Sequence, residues 1–125
     1  MQIDPVVLVP DIRRAAKLGT FFVMEKNPQL IPLVKGVAEG IETLADGDIP
    51  IDEIKEQVEA VVDTMVSDPV YRDIVKEAIG SGVEKLLLFK PYLDGLLAEE
   101  QARFVAILVK ALAQGVREGA VLAEK

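Results

Sequence analysis

The sequence predicts an all-α protein of about five helices. They form either a compact bundle or a short helical-repeat array of two similar αα units, preceded by an extended N-terminal strap. Three observations lead there. Apolar residues recur at three- and four-residue spacing through most of the chain, the mark of amphipathic helices. No stretch alternates apolar and polar with a period of two, so no sheet is expected. Two Asx-Pro pairs, Asn27-Pro28 and Asp68-Pro69, each precede an apolar-striped run; Asx is a favoured N-cap and Pro a favoured first helical residue.

The opening stretch IDPVVLVPD places two prolines around Val6, Val7, Leu8 and Val9. Proline restricts itself and its predecessor toward extended backbone, so residues 1–10 read as an apolar strap that docks on this chain or on a neighbour. The first helix is expected over about 11–25, capped by Asp11. Ile12, Ala15, Ala16, Gly19, Phe22 and Val23 share its buried face, with Arg13, Arg14 and Lys17 mainly elsewhere. After Asn27-Pro28 a second helix runs to about Ala45, striped by Leu30, Leu33, Val34, Val37, Ile41 and Leu44.

A loop at 46–50 leads to a third helix over about 51–66. Ile51, Ile54, Val58, Val61, Val62 and Met65 form its apolar stripe, and Glu53, Glu56, Glu59, Asp63 and Lys55 its other face. After Asp68-Pro69 the fourth helix carries Val70, Ile74, Val75, Ala78, Ile79, Val83, Leu86 and Leu87. A second loop occupies 89–95. The last helix begins near Ala98 and continues to about Leu122; its centre, 104–113, holds Lys110 as its only charge. A helix apolar nearly all round is central to a fold or buried by a partner.

The chain reads as a single domain, 1–125, with an internal echo. Asn27-Pro28 and Asp68-Pro69 are 41 positions apart, as are Leu33-Val34-Lys35 and Ile74-Val75-Lys76. Units of about 27–66 and 68–113 then correspond, and a period near 40 falls in the range of stacked helical pairs. The competing reading is chance recurrence of Asx-Pro corners and Val/Ile/Lys stripes. Gly36/Gly40 and Gly115/Gly119 sit four apart inside expected helices, a spacing that brings two helices close; packing within the fold is favoured over a dimer contact.

Composition narrows function by exclusion. Half of the residues are apolar, so disorder is not expected. No Cys is present, and with it go disulfides, thiolate ligands and a cysteine nucleophile. No His is present either, which removes the usual general base near neutral pH and the commonest metal ligand. Apolar runs are too short for a signal-peptide core or a membrane span. A soluble protein is expected, cytoplasmic or within a macromolecular assembly such as a virion.

The net charge of −7 is unevenly spread. Residues 11–35 carry five positive and two negative charges, residues 36–65 one positive and nine negative. Overall acidity disfavours nucleic acid and anionic membrane as partners.

Three clusters are candidates for chemistry. Asp46, Asp48, Asp52 and Glu53 fall within eight residues, but a calcium loop wants Gly where Ile51 stands, so acidic residues at a helix start are the better reading and no metal is expected. Arg13, Arg14 and Lys17 beside Phe21 and Phe22 resemble an anion patch, yet three charges on an acidic chain fit a solvated face or ion pairs to the acidic middle. Glu39 and Glu42 share a helix face without a signal for burial.

No catalytic residue and no cofactor are therefore expected. The leading expectation is a non-enzymatic interaction or assembly protein, adaptor or self-assembling, with a phage or virion structural component among the fitting roles. Its partner is another protein or itself as a homo-oligomer. The expected contact residues are Val6, Val7, Leu8, Val9, Arg13, Arg14 and Lys17 at the basic end and Glu53, Glu56 and Glu59 in the acidic middle, meeting head to tail. The alternative is a small bundle that binds an apolar ligand between helices.

Overall fold

The computed structural model describes residues 5–47 and 49–125, and for residues 5–8 the backbone alone. Among these residues every regular element is helical. Five long helices are present: α1 (Pro5–Lys26), α2 (Ile31–Leu44), α3 (Ile54–Met65), α4 (Pro69–Leu87) and α6 (Ala98–Glu124). Between the last two, α5 (Lys90–Leu93) is a single turn where a loop was expected. The turn forms because it buries Phe89 and Leu93 in the core. Short 3₁₀ turns at Pro28–Leu30 and Ile51–Glu53 lead into α2 and α3.

Two expectations at the N-terminus are corrected. Residues 1–4 of the expected strap lie outside the described residues, but Pro5–Pro10 are helical, the opening turns of α1. The bias of a pre-proline residue against helix is a preference that packing overrides. Helical continuation lays Val9 against the core. Pro10 then sits inside a helix with no N–H to donate to Val6, an arrangement normally disfavoured. Asp11 is accordingly no cap; it lies within α1 and faces Arg14 at 3.9 Å.

A third correction concerns Phe22, expected on the buried face and 58 % exposed. At about 100° per residue, Ile12, Ala16, Gly19, Thr20 and Val23 cluster on one side. Phe22 falls outside that arc, and Thr20 and Met24, both fully buried, complete the buried face.

The direction of each helix follows from which residues meet. Arg13 and Ala16 abut Gly115 while Lys17 and Thr20 abut Gly119, so α1 and α6 run parallel. Ala16 abuts Gly82 and Gly19 abuts Ala78, so α4 runs opposite to α1. Lys35 pairs with Glu124 and Arg117 with Glu42, so α2 runs opposite to α6. Gly40 abuts Val61 and Gly36 abuts Met65, which sets α3 antiparallel to α2. The arrangement is an up-down-up-down-up bundle closed by its terminal helices, since the first long helix lies along the last. Of the two expected architectures, the compact bundle is the one present.

The helix α6 is central, as its apolar circumference suggested. Val105, Leu108, Val109, Leu112, Val116 and Ala120 are all buried, against α1, α2 and α4. Close approach depends on glycine. A Cβ at Gly82 would lie 2.6 Å from Leu112 Cδ1 and 2.7 Å from Ala16 Cβ. Cβ atoms at Gly115 and Gly119 would collide with the backbone carbonyls of Arg13 and Lys17. The four-residue glycine spacings are therefore spent inside the fold. Thr20, the one buried polar side chain among the described residues, donates its hydroxyl to the Ala78 carbonyl at 3.4 Å.

The two Asx-Pro corners are built differently. Asp68 caps α4, its Oδ1 accepting from the N–H groups of Val70 (2.8 Å) and Tyr71 (3.2 Å). Asn27 makes no such bond; its amide donates back to the Val23 carbonyl at 2.9 Å, closing the end of α1. The same residue pattern thus stops one helix and starts another.

Candidate functional site

The antiparallel pair α3 and α4 leaves a cleft of about 180 Å³ on the surface. Its floor is apolar: Val58 from α3, and Ile79, Val83 and Leu87 from α4. These are the cleft-side members of the two helices' apolar stripes, brought together because each stripe is wider than the neighbour covering it. The rim is charged, with Lys55 and Glu59 on one side and Lys76 and Glu84 on the other. Lys76 is tied across the cleft's end to Asp63 at 2.9 Å.

Gly80 opens this cleft. Gly19, Gly40, Gly82, Gly115 and Gly119 are all packed so tightly that an added Cβ would press on a neighbour, whereas a Cβ at Gly80 would meet nothing within 4 Å. The chain therefore spends a helix-weakening residue at a position where packing does not demand it, and the missing side chain leaves the cleft unfilled. The helix α4 runs through Gly80-Ser81-Gly82 unbroken. Glycine spacing alone carried no signal that one of the two glycines packs and the other faces solvent.

The expected contact residues are dispersed over the surface. Arg13, Arg14 and Lys17 gather with Pro10 and Glu118 around a shallow depression on α1 and α6. Arg13 pairs with Glu118 at 2.6 Å. Its partner thus comes from α6 and not from the acidic middle. Glu53 and Glu56 are exposed on the 3₁₀ turn and α3, and Glu59 lies at the cleft rim. Among the described residues no ion pair joins Arg13, Arg14 or Lys17 to Glu53, Glu56 or Glu59. Val9 is half-buried against the core; the side chains of Val6, Val7 and Leu8 lie outside the described residues.

The other charged groups are placed as follows. Asp52 of the acidic loop pairs with Lys90 at 2.5 Å, while Asp48 lies outside the described residues. The hydrogen bond and charge of Asp52 raise the Lys90 pKa above its ordinary value. Glu42 pairs with Arg117 at 2.7 Å, beside a shallow polar depression lined also by Glu39, Thr43, Asp46 and Lys110. Among the described residues no three carboxylates gather closely enough to hold a metal ion. No described helix is long and apolar enough to cross a membrane.

No protein-family model matches the chain, and neither a curated protein nor a solved structure proves significantly similar to it.

Proposed function

We propose that the protein acts without catalysing a reaction, as a protein–protein interaction module whose docking face is the α3–α4 surface. The observation that carries this is the cleft: an apolar floor inside a charged rim, held open by Gly80. Such a surface suits a helix or loop that inserts one bulky side chain between two helices while its polar flanks meet the rim. A desolvated pocket ringed by polar groups is where interface energy concentrates.

The cleft's size favours a partner side chain over a free ligand. Pockets for drug-sized molecules span roughly 300–1,000 Å³. At about 180 Å³ the cleft is nearer to an engineered cavity of about 150 Å³ that takes benzene. The apolar-ligand reading therefore calls for a very small ligand.

Two features that suggested interaction from sequence have intramolecular uses. The apolar centre of α6 fills the core, and six ion pairs among the described residues join charged groups to one another. The proposal rests on the cleft instead.

The test is a photo-crosslinking amino acid placed at the exposed rim position Glu84 in the full chain, irradiated in the producing cells. A discrete covalent adduct to a protein, lost when Gly80→Leu fills the cleft, is the expected result. Absence of any protein adduct from Glu84 would defeat the reading.

A further inference from the structure

Resting on the reading of α3–α4 as a docking face, we infer that its occupant is a second copy of this chain, which inserts the Leu18–Phe22 edge of α1. The helix α1 turns Ile12, Ala16 and Thr20 into the bundle. Its opposite side carries Arg14, Leu18 and Phe22, each four residues from the next and so on one solvent-facing stripe. Leu18 is 44 % exposed and Phe22 58 %, two large apolar side chains one turn apart with no cover from their own fold. Phe22 is the most exposed aromatic ring described, and its centroid lies 5.6 Å from that of Phe21, which steadies it from one side.

The two surfaces complement each other in size and charge. A cleft of about 180 Å³ takes one aromatic ring. The inserted edge is flanked by Arg14 and Lys17, both on the basic depression of α1. The receiving rim carries Glu59 and Glu84, and Glu53 and Glu56 are exposed elsewhere on the 3₁₀ turn and α3. Lys76 is already engaged by Asp63, which leaves Lys55 against Glu59 and Glu84 at the rim. Opposite potentials guide such encounters and fix their register.

Edge and cleft belong to different helices, so the contact is head to tail. Each bound copy still offers a free edge and a free cleft, and assembly continues until a ring closes or a chain grows.

Light scattering on the purified full chain at about 0.01 M and about 1 M salt tests this, the Debye length shrinking roughly tenfold between them. The wild type is expected to show masses above one chain that rise with protein concentration and fall with salt. Phe22→Ser removes the edge at an exposed position, and Gly80→Leu fills the cleft where a Cβ has open space. Each is expected to weaken association roughly ten- to a hundredfold, the worth of burying one Phe side chain.

An equimolar mixture of the two variants is diagnostic, because one retains the cleft and the other the edge. It is expected to form a dimer and stop. Should Gly80→Leu fail to fold, the double charge reversal Glu59→Lys/Glu84→Lys replaces it, with association restored by Arg14→Glu/Lys17→Glu on the mixing partner. A wild type that keeps the mass of one chain under all conditions overturns the inference, as does an oligomer that neither variant weakens. A Glu84 adduct to a different protein also overturns it while leaving the docking reading intact.

Discussion

At the scale of single residues, glycine separates packing from exposure. Gly115 and Gly119 let α6 lie against the backbone of α1, and Gly80 faces an open cleft. Opposite outcomes follow for one substitution. Gly115→Ala gains about 1 kcal/mol of helix propensity, but its methyl meets the Arg13 carbonyl and Ala16 Cβ, neither of which can yield cheaply. Overpacking of this kind costs about 1–3 kcal/mol, so a net loss is expected, and Gly119→Ala should behave alike. Gly80→Ala meets nothing and is expected to stabilise the fold by about 0.4–1 kcal/mol. Urea melts of the three variants read all of these; a Gly115→Ala protein as stable as Gly80→Ala would show that the close α1–α6 contact is wrong.

At the scale of elements, the helix ends decide how well the repeated corners serve. Asp68 satisfies two N–H groups at the start of α4, and Asp68→Ala is expected to lower stability by about 0.5–2 kcal/mol. Asn27→Ala removes a bond at the end of α1 and no N-cap, so a smaller loss than for Asp68→Ala is expected when both are measured by urea melts. The short α5 is held to the 3₁₀ turn before α3 by Lys90 and Asp52. Because folding raises the Lys90 pKa, the pair's contribution is whole below the ordinary lysine value and vanishes as pH climbs through the raised one. The stability gap between wild type and Lys90→Gln, measured by urea melts, is expected to be present at neutral pH and to close in strong alkali. The pair is exposed, so added salt should shrink the gap at every pH.

At the scale of the molecule, the terminal helices hold the bundle. Leu112 of α6 is fully buried and lies against Gly82 of α4, close to Ala16 of α1. Leu112→Ala is expected to cost about 2–5 kcal/mol, a large share of the stability of a domain this size. The loss should appear as one cooperative transition by circular dichroism, because α1, α4 and α6 share that contact. Ion pairs add little here. Arg13–Glu118, Lys35–Glu124 and Arg117–Glu42 fasten α6 to α1 and α2, but all six partners keep substantial solvent contact. Exposed pairs contribute about 0–1 kcal/mol each, so high salt is expected to move the melting temperature far less than Leu112→Ala does.

The helical class, the five long helices, the buried stripe of α2 and the central role of α6 were legible in the order of residues. Each is a property of local periodicity, and local periodicity survives folding because a helix must bury its apolar side. What depends on neighbours was not legible there. The helical state of Pro5–Pro10 opposes a local proline preference and is decided by packing. Phe22 was assigned inward because a helix has two nearly equivalent edges, and only the positions of α4 and α6 select between them. The cleft was legible only as its stripe residues, Val58, Ile79 and Val83, since an unfilled space exists between helices and has no residues of its own. Tertiary structure alone made Gly82 a contact and Gly80 an opening, two identical residues two positions apart, because a rotation of about 200° carries them to different sides of α4.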